Sequence, residues 1–168
     1  VIELSRPERL TWLHTICSQQ LSDLTDRRSA EALSLDGNGR IEDHFVLSDV
    51  DDITWLDTEG FRGEALAGFL TKMVFWSKVT VTPRPDMKVL TLIGPQLRSG
   101  AIADFLDIPA DAGVYTAGDL PELHHDDEPL GFWRIMPPTG DDRALPVIDL
   151  VVPESELRRW WAELVELG

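Results

Sequence analysis

The chain has 168 residues, 43% of them hydrophobic, with six Trp and six Phe, which is ample material for a packed core and excludes a disordered segment. A formal net charge of −15 excludes a protein drawn to nucleic acid or anionic membranes by its charge. One cysteine excludes a disulfide-stapled scaffold, and no apolar run approaches the roughly 20 residues of a membrane helix.

Val1 to Glu8 carries no apolar signal core, so the expectation is a cytoplasmic protein. Ser5-Arg6-Pro7-Glu8 reads as a capping box, with Pro7 in the first turn of a helix. Leu10, Leu13, Cys17, Leu21 and Leu24 then recur at three and four residues, extending that helix along one apolar stripe. Ala32 to Leu35 and Arg40 to Leu47 flank Asp36-Gly37-Asn38-Gly39, a hairpin whose turn calls for positive φ. Ile53 to Leu56 is a third strand, and Asp57 or Thr58 caps the next helix.

Glu59 to Ser77 reads as the helix around which the chain is organised. Ala65, Leu66, Phe69, Leu70, Met73 and Trp76 share one broad face. Gly60, Gly63 and Gly68 are read as positions where another element approaches closely. Two strands follow, Val79 to Thr82 and Met87 to Ile93, the second becoming continuously apolar as a central strand does. A short helix near Ser99 to Leu106 precedes an irregular stretch, Ala110 to Leu130. Leu130 to Met136 and Leu145 to Val152 form a second strand pair. From Pro153 a last helix presents Leu157, Trp160, Trp161, Leu164 and Val165 at helical spacing. This order predicts a single α+β domain over 1–168, with a mainly antiparallel sheet and three or four helices against it. Phe69, Met73, Trp76, Leu90, Leu92, Trp160 and Leu164 are its expected buried positions.

The charge is concentrated. The segment from Asp36 to Glu59 has net charge −7 and that from Ser99 to Trp133 has −8, so the remainder balances. Within them Asp49, Asp51, Asp52, Asp57, Asp119, Glu122, Asp126, Asp127 and Glu128 are the candidate surface for a basic protein partner. Other chemistries find less support. Ser34 to Glu42 imitates the middle of a calcium loop, but it opens on Ser, and the twelfth position, where the bidentate acid belongs, is Phe45. His124-His125-Asp126-Asp127-Glu128 has metal-ligand residue types without a second cluster, and His14 with Cys17 has none either. No nucleophile elbow, phosphate-binding loop or dinucleotide fingerprint is present, so no cofactor, metal or catalytic residue is assigned. Glu59, Glu64, Asp86 and Lys88 faintly echo a metal-dependent nuclease, in an acidic setting that would repel its substrate. The reading that follows is a small acidic protein-interaction module, inhibitor- or immunity-like, with enzymatic activity left open. The alternatives are an enzyme with a scattered site, hydrolase- or nuclease-like, or a structural assembly subunit.

Overall fold

The computed structural model describes residues 1–123, 131–140 and 144–168. It is α+β, with four helices and two antiparallel sheets among the described residues. The chain divides into two compact units, Val1–Pro85 and Asp86–Gly168.

In the first unit, β1 (Ile2–Ser5), β2 (Arg28–Leu35), β3 (Ile41–Val50), β4 (Ile53–Asp57) and β5 (Thr80–Pro83) form one sheet in the order β2-β3-β4-β1-β5. The expected capping box is replaced by β1. Ile2 and Leu4 point inward, and β1 pairs with both β4 and β5, so ladder bonds satisfy a backbone that a helix start would leave open. Ser5 ends that strand, and Arg6 turns the chain at φ 86°. The first helix, α1, runs only from Arg9 to His14. Leu21 is fully buried and Cys17 and Leu24 pack against the same core, but they reach it from turns. Ser18 exchanges bonds with Leu33 of β2, which ties this segment to the sheet edge in place of further helix.

The β2–β3 hairpin forms as its turn residues dictate. Gly39 has φ 78°, and Asp36 Oδ1 accepts from the amides of Asn38 and Arg40 at 2.8 and 2.9 Å. The organising helix is shorter than its apolar pattern: α2 spans Gly63–Met73. Its buried face is Leu66, Ala67 and Leu70, with Phe69 and Met73 partly covered. Ala65 faces solvent and Trp76 is 99% exposed, a correction to the expected core. Phe75, at φ 45°, leaves the right-handed helical region, so Trp76 no longer follows the stripe. An added Cβ at Gly60, Gly63 or Gly68 would meet open space, so no other described element of the chain packs closely on them as expected.

The second unit contains β6 (Met87–Ile93), α3 (Ala101–Phe105), β7 (Ala117–Asp119), β8 (Phe132–Met136), β9 (Val147–Pro153) and α4 (Leu157–Leu167), the last preceded by one 3₁₀ turn. Its sheet order is β6-β9-β8-β7, so β6 lies at an edge and Leu90 and Leu92 are half-buried. The central positions belong to β8 and β9, where Trp133, Ile135, Ile148, Leu150 and Val152 are buried with Trp160 and Leu164 of α4. Gly118 of β7 lies flat on the Trp133 ring, where any side chain would collide.

Candidate functional site

The acidic residues singled out by sequence separate into different environments. In the first unit the β3–β4 connection is two aspartates, Asp51 and Asp52, both with positive φ of 52° and 64°. Aspartate tolerates this left-handed geometry better than most side chains, and the tight turn projects both carboxylates outward. The Asp51 amide donates to Asp26 Oδ1 at 2.9 Å, which braces the turn. Asp52 has a side chain 98% exposed.

Beneath this turn the chemistry is closed on itself. Arg9 donates from Nε and Nη2 to the two oxygens of Asp49, at 3.0 and 2.9 Å, and Thr54 donates to Asp49 Oδ1 at 2.5 Å. Both Arg9 and Asp49 are buried, so the Asp49 charge is directed at an internal guanidinium. Burial opposes the Arg9 charge, yet the hydrogen bond and negative charge of Asp49, with Asp52 nearby, raise its pKa above the ordinary value. Arg9 also reaches Asp52 at 3.3 Å, and Arg27 reaches Asp51 at 3.2 Å. Asp57 is half-buried at the end of β4. Thus Asp51 and Asp52 are the accessible pair among the four expected in this unit, and arginines partly offset them.

In the second unit Asp119 closes β7 and is exposed, as is Glu122. Asp126, Asp127 and Glu128, together with His124 and His125, lie outside the described residues.

Two buried polar nodes escaped the sequence reading. Asp43 points inward from β3, accepting from Ser34 Oγ at 3.0 Å and from Arg62 Nε at 2.7 Å. That bond, with the Asp43 charge, raises the Arg62 pKa. The other node joins Arg134 of β8 to Asp149 of β9, with Nε and Nη2 at 3.1 and 2.9 Å from one carboxylate oxygen, while Thr91 donates to the other at 2.7 Å. Alternation carries the signal: Asp43 is in phase with Phe45 and Leu47, so an acid on that face needs an internal partner.

Among the described residues no group of three His, Cys, Asp or Glu stands together as metal ligands would. Cys17 is half-buried and burial pushes its thiol pKa up, which disfavours the reactive thiolate. The remaining conspicuous feature is apolar. Phe61, Glu64, Ala65, Gly68, Phe69 and Lys72 line a shallow depression on the outer side of α2. Phe61 is 85% exposed, and Phe75 is exposed beyond the other end.

No family model and no curated protein matches the sequence. Among solved structures the chain is similar to the glycine cleavage system aminomethyltransferase T from Bartonella henselae. The TM-score is 0.78 at 17% identity, over 98% of this chain and 42% of that protein. That likeness shows the fold, and the chain spans less than half the length of the protein it resembles.

Proposed function

We propose that this chain is a ligand-holding part of a group-transfer protein built on the aminomethyltransferase fold. The observation that carries this reading is the extent of the structural likeness, which takes in 98% of the chain at a TM-score of 0.78. Fold alone leaves the chemistry to the site, and charge supplies the second argument. An aminomethyl group bears an amine that is cationic at neutral pH, and a chain of net charge −15 attracts small cations of that kind. The chain's role is to bind and orient such a group. The test is calorimetric titration with benzylamine, a stable aminomethyl compound, against benzyl alcohol as the uncharged control. Saturable binding of the amine alone supports the reading, and equal or absent responses to the two refute it.

A second reading keeps the acidic interaction module, in which a basic protein docks on Asp51 and Asp52 and the acids of the other stretch. The exposed, braced β3–β4 turn favours it, since a rigid pair of carboxylates presents charge at little conformational cost. Capture from host lysate at low and high salt, with the Asp51→Asn/Asp52→Asn/Asp126→Asn/Asp127→Asn variant as control, tests it. Equal capture by that variant removes this reading.

A further inference from the structure

The outer face of α2 has an internal symmetry that neither reading uses. Gly68 lies midway between Glu64 and Lys72, and midway between Phe61 and Phe75. Residues 64, 68 and 72 form one ridge at a spacing of four, and 61, 65 and 69 form the next. Glu64, Ala65, Gly68 and Lys72 are exposed, and Phe69 is half-buried. The buried side of the helix, Leu66, Ala67 and Leu70, is already committed to the core of the first unit.

We propose that this face is a self-association surface on which a second copy of the chain packs antiparallel, about a twofold axis passing at Gly68. A twofold axis there sends each position of α2 to its mirror along the helix, which fixes the pairings within it. Glu64 of one copy meets Lys72 of the other, twice. Phe61 precedes α2 and Phe75 and Trp76 follow its end, so these exposed aromatics flank the crossing in both copies. The same patch is thus its own complement in charge, as an isologous interface requires. Glu64 and Lys72 are about 12 Å apart along the axis, so the charge pairs bracket the crossing.

The crossing point itself is suited to close approach. An added Cβ at Gly68 would meet nothing within 4 Å, and Ala65 is the neighbouring small residue. Two helices can then approach to about 8 Å between axes, the near end of the usual range. The area is also sufficient. Phe61, Phe75 and Trp76 are 85%, 76% and 99% exposed. Aromatic side chains bury roughly 150–250 Å² each. Three per copy give roughly 900–1,500 Å² over two copies, overlapping the roughly 1,200–2,000 Å² of specific interfaces. Exposed Trp and Phe in such number are the residues that dominate binding energy where they meet a partner. The overall negative charge does not oppose this contact locally, because residues 59–78 hold two acids against three bases.

Sedimentation equilibrium of the whole chain over a wide concentration range tests the proposal. The expected mass rises from 18.8 kDa towards twice that value. Glu64→Lys alone sets Lys against Lys, and Lys72→Glu alone sets Glu against Glu, so each weakens association by about tenfold or more. Mixing those two variants restores both attractive pairs, and a heterodimer forms. Gly68→Gln blocks the crossing while replacing a helix glycine by a better helix former, so it yields a folded monomer. A chain that stays monomeric throughout leaves the face to another protein and overturns the proposal. Variants that associate as the parent does, or a mixture that fails to restore association, overturn it equally.

Discussion

Replacing Arg134 by Met should be among the most damaging single changes in the second unit. Arg134 is 1% exposed and Asp149 6%, and their two contacts lie between the central strands β8 and β9. Met matches the volume of the arginine stem but brings no donor, so Asp149 keeps Thr91 and loses its guanidinium. Breaking a buried pair from one side costs about 3–5 kcal/mol, well above a typical substitution, because a charge is left without its partner. Asp149→Leu removes the acceptor of those two guanidinium bonds and should also destabilise the unit. The double variant Arg134→Met/Asp149→Leu removes both charges together, and a buried pair replaced by apolar groups is often neutral or better. It should therefore be more stable than either single variant, a coupling of about 3 kcal/mol on the double-mutant cycle. Urea unfolding at equal m-value, with hydrogen exchange at β8 and β9 amides to localise the loss, gives the numbers. A loss under about 1 kcal/mol for Arg134→Met, or simple additivity of the two single changes, would show that Arg134 and Asp149 are not coupled across β8 and β9.

Leu150→Ala, at a fully buried position in β9, should cost about 2–5 kcal/mol, and Leu90→Ala on the edge strand distinctly less; equal losses in chemical unfolding would contradict the strand order. The amides of Arg40 and Asn38 hold the Asp36 pKa below its ordinary value. A lowered folded pKa contributes stability above the unfolded value of about 4 that is lost as pH falls through the folded one. Asp36→Asn should therefore lower stability at neutral pH while leaving it nearly unchanged at acid pH, which flattens the acid limb of a stability–pH curve, and an unaltered limb would show that the turn makes no such contribution. Cys17, with its thiol pKa raised by burial, should react with iodoacetamide several-fold more slowly in the native chain than after denaturation. Trp76→Ser should shift stability of the dilute monomer by no more than about 0.5 kcal/mol, because Trp76 is almost wholly exposed.

The parts of the fold legible in sequence were those set by local chemistry. Asp36-Gly37-Asn38-Gly39 forces a hairpin through turn geometry, and the Trp160 and Leu164 spacing of α4 marks its buried face. The parts that were not legible depend on distant partners. Ile2–Ser5 is a strand because Trp55, Leu56 and Val81 stand opposite it, and nothing within those four residues announces that. Whether Met87–Ile93 is central or peripheral rests on how many strands pair with it, and it pairs with β9 alone among the described strands. The three-and-four spacing of Leu10, Leu13, Cys17 and Leu21 did mark Leu13, Cys17 and Leu21 as core-directed, but past α1 turns bring Cys17 and Leu21 to the core as well as a helix would.

The candidate site was less legible for a related reason. A count of acids between Asp36 and Glu59 gives charge without its compensation, and Arg9 meets Asp49 across a separation of 40 residues. Alternation would have identified Asp43 and Asp49 as inward positions of β3, since both share a phase with Phe45 and Leu47. The outward-facing turn of Asp51 and Asp52 follows from Val50 and Ile53 closing a two-residue connection.

Titration with benzylamine and benzyl alcohol in one calorimeter decides whether this chain holds an amine-bearing group. Saturable one-to-one binding of the amine, with a melting point that rises with its concentration, is the expected result. Identical heats for the two compounds, or none for either, would contradict it.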